Sequence, residues 1–423
     1  MAERDLDVVV FGATGVTGRR VAAYLAERAP ATGARWAAAG RDPGRVRRVL
    51  GEDGVRAPEV LAADAGDPAS LFALASRTRV VLNLVGPYTP NARPVIEACV
   101  DAGAHYVDLT GEIPFVRQVI DQVHDRAVHA GVKVVQVCGF ESLPPDLAVA
   151  LAAQEARGRW HEDLAHVDVE VSWRLPPGRP RPSDAISGGT FQSLVAVADS
   201  DTDASLVTDP AALVTDPHVA DEVRERSPIT VGPRRNARGD VLAPMAPAAF
   251  INPAVVHRTR ALWAAEQSTH VAPFTYREAI ALPGSAPTMP LRWAAAGVLS
   301  GVQVAMLRTA RARPEVRRRA ADALRRVVPS SGFGPAPDRL EGWQWRLLVQ
   351  ARTTGGARVE VHVDATGHPG YLATARMVGE AGLMLAEHGT TPERAGCLTP
   401  ATALGTDHVD RFRHARLRFT VAG

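Results

Sequence analysis

From Asp7 to about Cys138, short β-branched and apolar runs alternate with stretches whose apolar residues recur at helical spacing. That alternation predicts βαβ units and a parallel sheet buried on both faces. Six strands are expected: Asp7 to Phe11, Arg35 to Ala39, Glu59 to Ala63, Val80 to Val85, His105 to Leu109 and Lys133 to Cys138. Right-handed crossovers between them generate a doubly wound sheet with its ligand crevice at the carboxyl ends of the strands.

After a helix starting near Pro145 the pattern changes. Val167 to Trp173, Trp343 to Val349 and Ala357 to Val363 alternate inward and outward residues, as strands of an antiparallel sheet with one exposed face do. Thr354-Gly355-Gly356 between the last two reads as a hairpin turn. The expected class is α/β. Residues 1–145 form an N-terminal Rossmann-type doubly wound parallel sheet, and 146–375 a second α+β domain, for substrate or dimerisation, built on a mainly antiparallel sheet. The segment 376–423 is a candidate to return to the first domain.

Trp293 to Leu307 carries no charge, and Arg308, Arg311, Arg313, Arg317, Arg318, Arg319, Arg325 and Arg326 follow it. The uncharged run is shorter than the roughly 20 apolar residues a bilayer span needs. Two readings stay open for 293–326: a buried or homodimer-interface helix with a solvated basic continuation, or a surface lying against anionic lipid.

Composition narrows the class. A chain of 423 residues exceeds the size of one ordinary core. A net charge of +2, with 22% charged residues, gives no global attraction to nucleic acid. Cys99, Cys138 and Cys397 are odd in number and far apart, which argues against a disulfide framework or zinc knuckle. His124/His129 and His161/His166 share no helical face, so no metal is expected. The N-terminus lacks a secretory pattern. The expected location is the cytoplasm, with the inner face of the membrane as the place for any contact through 293–326.

Gly12-Ala13-Thr14-Gly15-Val16-Thr17-Gly18 follows the first strand and opens a helix expected over Val16 to Arg28. In that context the three glycines mark a dinucleotide site. Gly12 allows the tight turn, Gly15 lets backbone approach the pyrophosphate, and Gly18 permits close helix-to-strand packing. The second strand ends in Gly40-Arg41, without the carboxylate that NAD-selective sites place there. Arg41, with Arg45 behind it, suits the 2′-phosphate of NADP(H), while Asp42 could restore an NAD site if the turn aimed it at the ribose. Asp64, ending the third strand, is a candidate adenine contact or a turn residue. Asn83, Val85, Gly86 and Pro87 line the expected nicotinamide side and project Tyr88 toward the crevice.

These segments, with Tyr106 to Glu112, Cys138-Gly139-Phe140-Glu141-Ser142, Ser187-Gly188-Gly189-Thr190, Phe274 to Glu278 and Gly370-Tyr371, resemble the saccharopine dehydrogenase-like oxidoreductases, and within them the trans-acting enoyl reductases. The resemblance implies NADPH-dependent reduction of a carbon-carbon double bond on an acyl, lipid or polyketide intermediate. The substrate would be a small molecule or carried by an acyl carrier or polyketide synthase. Imine reduction in amino-acid or natural-product biosynthesis is the alternative, and a non-catalytic NADP-sensing protein a second one.

The resemblance adds Cys138 and Gly139 to the cofactor surface. It also marks a departure: Glu141 stands where an aspartate is expected, and so reaches further into the site. Enolate stabilisation and proton delivery call for a hydroxyl, amide or acid. Tyr88 is the first catalytic candidate, with Asp108 and Glu112 as orienting or proton-relay groups or, alternatively, helix-entry residues. Glu141 and the glycine turn Ser187, Gly188, Gly189 and Thr190 are candidate substrate contacts.

Overall fold

The computed structural model describes residues 4–178, 204–245, 247–267, 271–327 and 335–422. Strands β1 (Leu6–Phe11), β2 (Trp36–Gly40), β3 (Glu59–Ala62), β4 (Thr78–Asn83), β5 (His105–Asp108) and β6 (Lys133–Val135) form an all-parallel sheet in the order β3-β2-β1-β4-β5-β6. This is the doubly wound arrangement expected, with its switch point between β1 and β4. Helices α1 (Val16–Thr32), α2 (Pro43–Glu52), α3 (Pro68–Arg77), α4 (Tyr88–Ala102) and α5 (Ile113–His129) make the crossovers.

Two strands, β4 and β6, end two or more residues before the sequence expectation, for backbone reasons. β4 ends at Asn83, and the next amide, Leu84 N, donates to Phe11 O at 2.8 Å as the chain turns into the crevice. β6 stops at Val135, short of Cys138, and Val137 has φ +59°. A β-branched residue in the left-handed region is uncommon and costs conformational energy. Here it turns the chain so that Cys138 N donates to Asp108 O at 2.9 Å. α1 continues past Arg28 to Thr32 and ends at Gly33, whose φ of +71° suits the left-handed cap.

The second sheet comprises β7 (Leu164–Arg174), β8 (Arg234–Arg235), β9 (Val241–Ala243), β10 (Thr275–Leu282), β11 (Gln344–Thr353), β12 (Arg358–Thr366) and β14 (Leu417–Ala422), in the order β14-β12-β11-β7-β10-β9-β8. Only the β7–β10 pair is parallel, and β11 and β12 pair as the expected hairpin. Helix α6 (Leu143–Trp160) is buried along most of its length, and its apolar residues share one core with Val8 and Val10 of the first sheet and Val361 and Val363 of the second.

Part of the segment 376–423 returns to the first sheet, while its last strand, β14, belongs to the second. β13 (Gly396–Leu398) adds to it beside β6 in parallel. The helix Thr374–Ala386 packs on α1, where a Cβ on Gly379 would lie 2.4 Å from Tyr24 Cδ1. The Tyr24 hydroxyl donates to Glu380 Oε2 at 2.5 Å, and Arg28 and Arg411 ion-pair with the same buried carboxylate. These contacts hold the helix Thr374–Ala386 against α1.

Candidate active site

At the end of β1, Gly12 takes φ +88°, and its amide donates to Ala39 O at 3.0 Å. A Cβ on Gly12 would come within 2.9 Å of the Leu84 carbonyl carbon, and one on Gly18 within 2.2 Å of Gly12 O. Both positions therefore exclude a side chain. Gly15 differs: a Cβ there would meet only Gly12 O, at 3.4 Å, so its outer side faces open space. Gly15 is the N-cap of α1, with no side-chain cap and no acidic residue in the first turn. Ala13 is buried, while Thr14, Val16 and Thr17 are half-buried along the rim. Uncapped first-turn amides and the positive end of the helix dipole make this a cradle for a pyrophosphate. The residues present fit a dinucleotide.

Arg41 is exposed at the tip of β2 and makes no ion pair among the described residues. Asp42 is the N-cap of α2, where its carboxylate accepts from Arg45 N at 3.0 Å. That engagement turns Asp42 toward its own helix, and Arg41 is left as an exposed charged side chain at the end of β2. Asp64 sits in a turn, its Oδ1 accepting from Gly66 N at 2.9 Å, and the N-cap of α3 is Asp67.

The carboxyl ends of β4 and β5 carry a buried polar chain. Asn83 Nδ2 donates to the Tyr106 hydroxyl at 2.9 Å, which donates to Asp108 Oδ2 at 2.8 Å. Asn83 Oδ1 accepts from Val85 N, and Asp108 Oδ1 accepts from Thr110 N and Val137 N. Burial lifts the Asp108 carboxyl to about 7 against the pull of these hydrogen bonds. Sequence reasoning singled out Asn83 and Asp108, but not Tyr106 as the link between them.

Tyr88 opens α4 after the Gly86-Pro87 turn and is buried, its hydroxyl 3.5 Å from Asn83 O. Burial, then the nearby Asp108 carboxylate, pushes its phenol far above the usual range. Glu112 occupies the N-cap position of α5 without capping it. Its carboxylate instead accepts from Tyr88 N at 3.1 Å and Thr89 N at 2.7 Å, so it serves the start of α4. Cys138 is buried and its thiol pushed up by burial; beside it, a Cβ on Gly139 would contact Leu109, Thr374 and Glu141.

Glu141 is half-buried where this edge meets the second domain, and burial raises its carboxyl above the usual range. Next to it the Ser142 hydroxyl donates to Asn252 Oδ1 at 2.6 Å. Asn252 Nδ2 donates to both Glu278 oxygens, at 2.9 and 2.8 Å, and the Tyr276 hydroxyl adds a bond to Glu278 at 3.1 Å. Burial holds Glu278 at about 7, with Glu141 among the groups that raise it. Asn252, Tyr276 and Glu278 were not site candidates on sequence. The available signal was Tyr276 and Glu278 two apart in an alternating strand, polar residues on its buried face. Thr374, which accepts from Phe140 N at 3.1 Å, carried no local signal. Ser187, Gly188, Gly189 and Thr190 lie outside the described residues.

Comparison with known proteins identifies the family. The saccharopine dehydrogenase NADP binding domain matches residues 8–135. A trans-acting enoyl reductase of Mycobacterium ulcerans is 34% identical, with 96% of this chain and 94% of that protein covered. A Mycobacterium bovis protein of the same name is 33% identical, with the same coverage. Saccharopine dehydrogenase (L-Glu forming) of Saccharomyces cerevisiae shares the fold, with a TM-score of 0.53 over 99% of this chain and all of that one at 11% identity. The NADP binding domain over residues 8–135 and the full-length relatives place the chain among the saccharopine dehydrogenase-like, NADP(H)-dependent oxidoreductases, in the trans-acting enoyl reductase branch.

Proposed function

We propose that this protein reduces a carbon-carbon double bond conjugated to a thioester, on an acyl or polyketide chain delivered by a carrier domain. What supports this reading is the group of acids beside the Cys138–Ser142 turn, where Ser142 and Asn252 lead to Glu278 and Glu141 is among the charges that raise it, together with the names of the full-length relatives. Bound NADPH supplies the hydride to the β-carbon. The π-bond electrons then move onto the thioester oxygen, and the α-carbon takes a proton.

Glu141 is the proton donor in this account. It is the half-buried acid of the group, whereas Tyr88, Asp108 and Glu112 are buried. Burial raises the Glu141 carboxyl above its usual range and lifts Glu278 to about 7, with Glu141 adding to the latter, so protonated acid is present here near neutral pH. Tyr88 forms the wall beside Gly86 and Pro87, and Asp108, through Tyr106, fixes Asn83. Arg41 selects the 2′-phosphate.

A second reading has its own support. Among the described residues no arginine or lysine ion-pairs with Asp108, Glu141 or Glu278. A carboxyl-rich site suits a cationic iminium, which points to imine reduction. NADPH oxidation measured with an enoyl thioester, and separately with an amine plus a keto acid, distinguishes the two. Turnover with the thioester, slowed in Glu141→Gln far more than in Tyr88→Phe, is expected. Turnover only with the amine and keto acid would replace the first reading with the second.

A further inference from the structure

The helix Met289–Ala310 is amphipathic in the reverse sense to an ordinary surface helix. Its buried positions are Arg292, Ala296, Ser300 and Gln303. Arg292 donates to Leu282 O and Ser285 O, and Gln303 to Thr230 O, while Ala296 packs on Val241 and Ala243 of β9. The opposite face carries Leu291 (72% exposed), Val298 (68%) and Val302 (50%), with Ala294, Ala295 and Ala305 exposed between and beyond them. These positions recur at i, i+3/i+4 and so form one stripe. From Leu291 to Ala305 it runs about 21 Å at the helical rise. Trp293 flanks its start.

A helix that buries its polar side and presents its apolar side to the outside is built for an apolar neighbour. Charge identifies which. Residues 308–326 hold eight arginines against Glu315 and Asp322, an excess of six positive charges. Arg308 continues the apolar stripe by one turn. The next helix, Pro314–Val327, exposes Arg318, Arg319, Arg325 and Arg326, with Val316 also exposed. Arg308, Arg313, Arg319 and Arg326 make no ion pair among the described residues.

A second copy of this helix would not neutralise them, because Met289–Ala310 contains no acidic residue. An anionic lipid surface meets both demands, since acyl chains take the stripe and phosphates take the arginines. No described helix is long and apolar enough to cross a membrane, so the contact is peripheral.

We infer that the face made by Met289–Ala310 and Pro314–Val327 docks the protein on anionic phospholipid bilayers, with the Leu291–Val298–Val302 stripe entering the interface and the arginines binding headgroup phosphates. This inference is independent of which double bond the active site reduces.

The test is flotation of the full chain with vesicles of phosphatidylglycerol in phosphatidylcholine, and with phosphatidylcholine alone. The protein is expected to float with the anionic vesicles only, and to release as salt rises. Val298→Asp with Val302→Asp is expected to abolish flotation while the melting temperature and NADPH binding stay at the wild-type level, since both side chains are exposed. Arg319→Glu with Arg326→Glu is expected to weaken binding at least about tenfold, from roughly fivefold per basic side chain at an anionic surface. Wild-type protein that stays down with both vesicle types overturns the proposal, whether it then proves to be a dimer through this stripe or to capture an acidic carrier domain there. Anionic-vesicle binding that both double variants retain in full overturns it equally.

Discussion

Gly15→Ala and Gly18→Ala separate the two jobs assigned to the cradle. At Gly18 the new methyl would sit 2.2 Å from Gly12 O and 3.0 Å from Ala13 Cα, both backbone atoms that cannot swing away. Overpacking of this kind costs about 1–3 kcal/mol. A domain of this size loses roughly 2–4 °C per kcal/mol, so the melting temperature should fall by about 2–12 °C. At Gly15 the nearest atom is Gly12 O at 3.4 Å, and φ −72° with ψ 163° suits alanine. The stability cost there stays below about 1 kcal/mol. Its methyl instead occupies the space a phosphate needs. Losing one charge-assisted backbone contact, at about 1.5–3 kcal/mol, weakens NADPH roughly 10- to 100-fold. Thermal melts with and without NADPH, alongside fluorescence titration of the cofactor, read both quantities. Wild-type affinity in Gly15→Ala, or an unchanged melt with intact binding in Gly18→Ala, would refute the reasoning.

Arg41→Ala should weaken NADPH roughly 10- to 100-fold and leave NADH unchanged, because only the 2′-phosphate contact is lost; equal losses for both cofactors in a titration would exclude that role. Asp146 is buried, accepting from Thr259 Oγ1 at 2.5 Å and from Ala401 N at 2.8 Å, and burial raises its carboxyl to about 7. A folded-state value above the unfolded one means stability is present in full below about pH 4 and is lost as pH rises through about 7, at up to about 1.4 kcal/mol per pH unit. Asp146→Asn should therefore gain on the wild type between about pH 5 and pH 8 in thermal melts; a difference that stays flat or shrinks with pH would show that the carboxyl ionises normally. Glu141→Gln should lower kcat while NADPH affinity holds, and steady-state kinetics showing equal kcat would remove Glu141 as the proton donor.

The parts of the site readable in the sequence are those whose chemistry is local. Gly12, Gly15 and Gly18 lie within seven residues, and Arg41 is marked by the missing acid at its own strand end. Asp42 is ambiguous on sequence because an aspartate before Pro43 can cap a helix or face a ribose; in the structure its carboxylate accepts from Arg45 N and caps α2. Glu112 was legible as helix-entry chemistry, yet the helix its carboxylate serves begins at Tyr88, a choice fixed by how α4 and α5 pack. Asn252, Glu278 and Thr374 come from segments over a hundred residues from the Cys138–Ser142 turn, and only tertiary packing assembles them. The left-handed Val137 was hidden because its side chain suits the strand that its backbone ends.

The central claim is that this site adds hydrogen across an enoyl thioester. Its most direct test is intact mass spectrometry of a carrier domain loaded with an α,β-unsaturated acyl chain, incubated with the protein and NADPH. The account predicts an acyl chain heavier by two hydrogens, with deuterium at the β-carbon when the cofactor carries a deuteride. An acyl chain of unchanged mass, in a preparation that still oxidises NADPH with an amine and a keto acid, would contradict it.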